Sequence, residues 1–141
     1  MKKLLLLITF LSSFFVRGQM TKDDLIGKTF VADVTQYTPE INGEPLYKHS
    51  YEKHPQVNLY LIFEKTQVIV KEENRVTKQV FRKDTRSWTL KGNLLKIPQT
   101  KKNIYYAVDQ FQFYFEKGKL IGTRVTWDKN IEKIVFKQSN Q

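Results

Sequence analysis

Few residues in this chain of 141 could carry out chemistry. Cysteine is absent, which excludes disulfides, thiolate metal sites, cysteine nucleophiles and a lipobox acyl anchor. The two histidines, His49 and His54, fall in one segment together with Glu44 and Glu52. Imidazole plus carboxylate is a donor set that suits zinc or iron. A spacing of five, however, places the two rings on a common face of neither a helix nor a strand, so exposed histidines and no metal are expected. Ser50 adjoins His49 and brings a hydroxyl beside a base. Nucleophilic catalysis also needs a third, orienting group and a shaped turn, and neither accompanies it. No glycine-rich phosphate cradle occurs. Neither enzymatic activity nor a cofactor is expected.

Binding chemistry is better represented. Tyr105, Tyr106, Phe111, Phe113, Tyr114 and Phe115 lie close to lysines, a mixture on which nucleic-acid bases can stack. Phe111, Phe113 and Phe115 share one face at alternate positions, however, and filling an interior is the stronger account of them. Nucleic acid is therefore not an expected partner. The segment from Tyr37 to Pro55 holds Pro39, Asn42-Gly43, Pro45 and Pro55 and shows no clear periodicity. Long connections of that kind often act as lids, and Tyr37, Tyr47 and Tyr51 would give flat, amphipathic ligand contacts. Asn42-Gly43 could instead turn a small hairpin whose tyrosines cover one end of the fold.

The elements that must position these residues are strands. Val57, Leu59, Leu61 and Phe63 alternate with Asn58, Tyr60, Ile62 and Glu64, and Phe111, Phe113 and Phe115 alternate with Gln110, Gln112 and Tyr114. Ile121, Thr123, Val125 and Trp127 oppose Leu120, Gly122, Arg124 and Thr126. A period of two in β-branched and aromatic runs is the mark of half-buried strands. Glu72 to Arg75, Lys91-Gly92-Asn93, Glu116 to Lys119 and Asp128 to Asn130 supply turn chemistry between them. Strands are expected at 28–36, 56–64, 67–72, 75–83, 86–91, 94–98, 103–109, 110–116, 119–127 and 131–137. One helical turn is expected over Thr21 to Ile26, opened by a capping box of Thr21 and Asp24. The fold class is all-β, an antiparallel up-and-down β-barrel of about 8–10 strands.

The first segment reads as an address. Met1-Lys2-Lys3 is a basic start, Leu4 to Leu11 is apolar apart from Thr9, and Val16 and Gly18 are placed for cleavage. A secretory signal over residues 1–18 is expected, leaving one domain over 19–141 and no further transmembrane segment. Residence is then periplasmic or extracellular. Cleavage removes Lys2, Lys3 and Arg17, which lowers the formal charge from +10 by three. The remaining excess is spread as single residues and pairs such as Lys101-Lys102 and reads as a solvated, solubilising surface. A hydrophobic content of 40%, with 2 Trp, 7 Tyr and 10 Phe, is enough to support a core.

Trp88-Thr89-Leu90-Lys91-Gly92-Asn93-Leu94-Leu95-Lys96-Ile97 is the most distinctive run. It resembles the Trp-x-Leu-x-Gly-Asn-x-Leu-x-Ile hairpin of small secreted bacterial lipocalin-like domains. The likeness spans roughly residues 25–137. The Gly-x-Trp of true lipocalins is replaced, because Gly27 is followed by Lys28, Thr29 and Phe30. Phe30 would then plug the barrel floor with Lys133 or Lys137 over it. The resemblance implies a monomeric barrel that holds a small apolar or amphiphilic ligand. Phe63, Trp88, Phe113 and Val125 would line the site and the Tyr37–Pro55 loop would gate it. The alternative is a solid-core interaction protein that docks an anionic glycan or a protein partner through its lysines.

Overall fold

In the computed structural model the described residues are 19–35, 40–41, 44–45, 56–99, 107–126 and 128–140. Alternation of large apolar and polar residues has its expected result: nearly all regular structure is strand. The strands are β1 (Thr29–Thr35), β2 (Glu40–Ile41), β3 (Glu44–Pro45), β4 (Gln56–Phe63), β5 (Gln67–Asn74) and β6 (Val80–Ser87). They continue with β7 (Thr89–Lys91), β8 (Leu94–Lys96), β9 (Gln112–Glu116), β10 (Lys119–Val125) and β11 (Ile131–Ser139). A 3-10 turn, Ala107–Gln110, precedes β9. Among the described residues no helix is long and apolar enough to cross a membrane.

Nine strands form one antiparallel sheet in the order β6-β5-β4-β1-β11-β10-β9-β8-β7. Its two edges, β6 and β7, are consecutive in the chain with only Trp88 between them. One bent strand thus pairs with β5 through its first half and with β8 through its second. That bend curls the sheet into a nearly closed up-and-down barrel, compatible with a lipocalin-like fold. Closure leaves little free edge, which guards against strand addition. The β2–β3 pair is separate, with Glu40 opposite Pro45 and Ile41 opposite Glu44.

The interior of the barrel is built from the inner faces of the nine-stranded sheet. Phe30 pairs with Leu61, Ala32 with Leu59 and Val34 with Val57; on the far side Leu120 pairs with Phe115 and Phe136. All of these are buried. Phe111, Phe113 and Phe115 are buried together as their alternation requires. Gly122 is the small residue that lets the rings meet, since a Cβ there would lie 2.9 Å from Phe136 and 3.0 Å from Phe111. At the β9–β10 turn Lys117 and Gly118 both adopt positive φ, 51° and 76°, the mirror-image turn whose twist matches the flanking strands.

Several boundaries differ from the periodicity reading. The expected strand over 75–83 is displaced to Val80–Ser87. Asn74 causes the shift: its side-chain oxygen accepts from the Val76 and Thr77 amides at 2.9 Å each, and Lys78 takes φ 61°. These bonds hold the chain in a turn where a ladder would have begun. Of the expected strand over 103–109, residues 107–109 lie instead in the 3-10 turn, and 103–106 fall outside the described set. Only half of the expected capping box forms, ahead of turns instead of a helix: Asp24 accepts from the Thr21 amide at 2.8 Å and from its hydroxyl at 2.7 Å, while the Asp24 amide donates to the Thr21 carbonyl. The two bonds it accepts also hold the Asp24 carboxyl below its ordinary value.

Candidate binding site

The barrel has two unlike ends. At one, which we term the floor, Phe63 meets Trp88 at 5.1 Å and Phe30 at 5.8 Å, and Phe30 meets Phe115 at 6.2 Å, all edge to face. The Thr21–Gly27 turns fold beneath them and bury Leu25 fully. Trp88 donates its indole N–H to the Glu64 carbonyl at 3.1 Å. The Lys22 ammonium lies 4.8 Å from the Trp88 ring. Phe30 is therefore a floor residue, as expected, but neither Lys133 nor Lys137 covers it. Both lysines point outward from β11, and Lys133 binds Glu116 at 2.8 Å. The cation sits on Trp88 instead.

The opposite end, the mouth, is charged. Because Trp88 faces inward, so do Arg86, Asp84 and Arg82 at alternate positions before it, opposite Val68, Val70 and Glu72. Arg86 is the hub. Its Nε donates to Asp84 at 2.9 Å, Nη1 to the Pro98 carbonyl at 3.2 Å and to Asp109 Oδ1, and Nη2 to Asp109 Oδ2 at 3.3 Å. Burial opposes its charge, and the hydrogen bonds to Asp109 and Asp84 overcome this, so the guanidinium is held above its ordinary value. Glu72, with no exposed surface, accepts from the Ala107 amide at 2.5 Å and from Arg82 at 3.4 Å. Burial outweighs these contacts and pushes the Glu72 carboxyl up.

Arg124 completes the mouth from β10. It donates to Glu132 at 2.5 Å, to the Thr35 carbonyl at 2.6 Å and to Gln110 at 2.7 Å, and its guanidinium stacks 4.6 Å from the Phe111 ring. The 3-10 turn thus seats among wall residues that each engage it: Glu72 holds Ala107, Arg86 holds Asp109 and Arg124 holds Gln110.

Beside this seat the wall parts. β8 pairs with β9 only at Leu94–Tyr114 and Leu95–Phe113. Beyond that, the segment from Lys96 to Gln99 and the approach to β9 border a groove of about 430 Å³. Leu95, Ile97, Pro98, Phe111 and Phe113 give it an apolar lining, with Gln99 and Gln112 as polar members. Its size falls within the range of small-molecule sites.

The residues expected to line a ligand are divided by the structure. Phe113 lines the groove. Phe63 and Trp88 are buried in the packed floor. Val125 faces outward and is 69% exposed, which corrects its placement in the interior. A strand turns only one face inward, and on β10 that face is Leu120, Gly122 and Arg124, since the last pairs its charge within the mouth. Tyr37, Tyr47 and Tyr51 lie outside the described residues, as do His49, Ser50, Glu52 and His54. Among the described residues no cluster of three metal-ligating side chains occurs.

The charged mouth went unrecognised in the periodicity reading, although its signal is present. Arg82-x-Asp84-x-Arg86-x-Trp88 has period two, so an inward Trp88 commits the three charged residues to the same face. Searches with this chain match no family model, no curated protein and no solved structure.

Proposed function

We propose that this chain is an exported binding protein that holds a small apolar or amphiphilic molecule and performs no catalysis. The observation that carries this reading is the apolar groove of about 430 Å³ between β8 and β9. The up-and-down strand order supports kinship with lipocalin-like barrels, and the basic-then-apolar leader over residues 1–18 supports periplasmic or extracellular residence. The ligand position moves from the barrel axis to its side, because the floor is filled by rings and the mouth by the seated turn.

Binding can be tested with N-phenylnaphthylamine, an uncharged probe that brightens in apolar surroundings. Saturable brightening that survives high salt, and that Ile97→Trp abolishes by filling the groove, is the expected result, since apolar burial is little affected by screening. No brightening, or brightening indifferent to Ile97→Trp, rejects the groove as the site. The alternative, an anionic glycan or protein docked through the outer lysines, draws on the pairing of Arg82, Arg86 and Arg124 with acidic residues inside the barrel, which leaves the cationic excess outside. It would show as heparin binding that falls steeply with salt.

A further inference from the structure

We infer that Arg86 is a carboxylate-headgroup subsite for the groove, and that Asp109 occupies it as an internal stand-in for the headgroup of an anionic amphiphile. This rests on the groove being the ligand site. Three observations support it.

The first is continuity. Pro98 and Gln99 line the groove, and both reach the Arg86–Asp109 pair directly: the Pro98 carbonyl accepts from Arg86, and the Gln99 amide donates to the Asp109 carbonyl at 2.9 Å. Phe111, two residues beyond Asp109, forms the groove wall. The pair therefore adjoins the groove through Pro98 and Gln99.

The second is geometry. Both terminal nitrogens of Arg86 face the two carboxylate oxygens of Asp109 in the forked arrangement by which guanidinium selects carboxylates. Asp84 binds the remaining Nε, so the fork stays oriented and is charge-balanced on one side when Asp109 leaves.

The third is access. The Asp109 side chain is 14% exposed against 6% for Arg86, so the carboxylate is the more solvent-accessible member of the pair. Rotation of the Asp109 side chain about its own bonds releases its two contacts to the guanidinium, whose Nη1 stays on the Pro98 carbonyl. The 3-10 turn stays tied by Ala107 to Glu72 and by Gln110 to Arg124. An incoming carboxylate then takes the place of Asp109 on Arg86, and the apolar burial of its tail in the groove offsets the loss of the Asp109 pair.

The test is competition of decanoate and 1-decanol against N-phenylnaphthylamine in the full chain and in Asp109→Asn. The two share a tail and differ in the headgroup. Removing the internal competitor should tighten decanoate by about tenfold and leave 1-decanol unchanged. In the wild-type chain, nitrogen-15 spectra should show the Arg86 Nε–H signal shifting with decanoate and not with 1-decanol, a readout that survives if the variant folds poorly. Displacement by both ligands with no preferential gain in Asp109→Asn, or a still Arg86 signal on bound decanoate, overturns the headgroup subsite and leaves the groove standing. Displacement by neither overturns the groove reading, and this inference with it.

Discussion

The floor and the mouth of this barrel are held by different physics. Phe30, Phe63, Trp88, Phe115 and Leu25 close the floor by area: rings meet edge to face and water is excluded, with little demand on orientation beyond ring packing. The mouth is closed by direction. Glu72, Arg86 and Arg124 hold the 3-10 turn through bonds that fail if one partner moves by an ångström. Apolar closure is suited to permanence and polar closure to exchange, because a carboxylate or amide can be replaced by another of the same kind. The groove opens beside the exchangeable end.

The largest effect is expected at the floor. Phe63→Ala should cost about 4 kcal/mol of stability, read from the denaturant midpoint, because a fully buried ring leaves a cavity that rigid strands cannot close. A cost below about 1 kcal/mol would mean that the floor is loosely packed. At the mouth, Arg86→Met should cost about 3 kcal/mol, since Asp84 and Asp109 would lose their shared cation. Combining it with Asp109→Asn should recover part of that loss, whereas combining it with Phe63→Ala should be additive.

Gly122→Ala should cost about 2 kcal/mol by forcing Phe111 and Phe136 apart, since their ring atoms stand where the new methyl would go. Acidity separates the ends more finely. Burial raises the Glu72 carboxyl above its ordinary value of 4.5, so between that value and the folded one the native state binds more protons than the unfolded chain. Stability is therefore fully present at low pH and declines as pH rises through the folded value. Glu72→Gln should remove this decline in pH-dependent unfolding curves, and an unchanged pH profile would mean that Glu72 is ionised at little cost. The smallest effect is expected from Lys22→Met, about 0.5 kcal/mol, from loss of the cation over the Trp88 ring at a partly exposed site. A shift in Trp88 emission should accompany it.

Much of the packed interior was legible along the chain. Phe30, Leu59, Leu61, Phe63, Phe113 and Phe115 lie at alternate apolar positions, and all of them are buried. The Trp88–Ile97 hairpin turns at Gly92-Asn93 with Leu90 opposite Leu95, as its spacing requires. The mouth was harder to read because charge usually marks the solvent face. Arg82, Asp84, Arg86 and Arg124 invert that habit by pairing inside the barrel. Val125 was assigned inward for the same reason: between a valine and an arginine, apolarity favours the valine, and only a carboxylate on the neighbouring strand reverses the choice. The groove had no local signature, since it depends on two strands that stop pairing after Leu95.

The chain by itself determined the strand class, most hairpin turns and the aromatic end, because alternation and turn propensity act over a few neighbouring residues. Tertiary structure alone decided which face of β10 turns inward, where the sheet closes at Trp88, and that Arg86 and Asp109, distant in the chain, form one pair. Long-range pairing energy depends on distance and on desolvation, and neither exists until the barrel has curled.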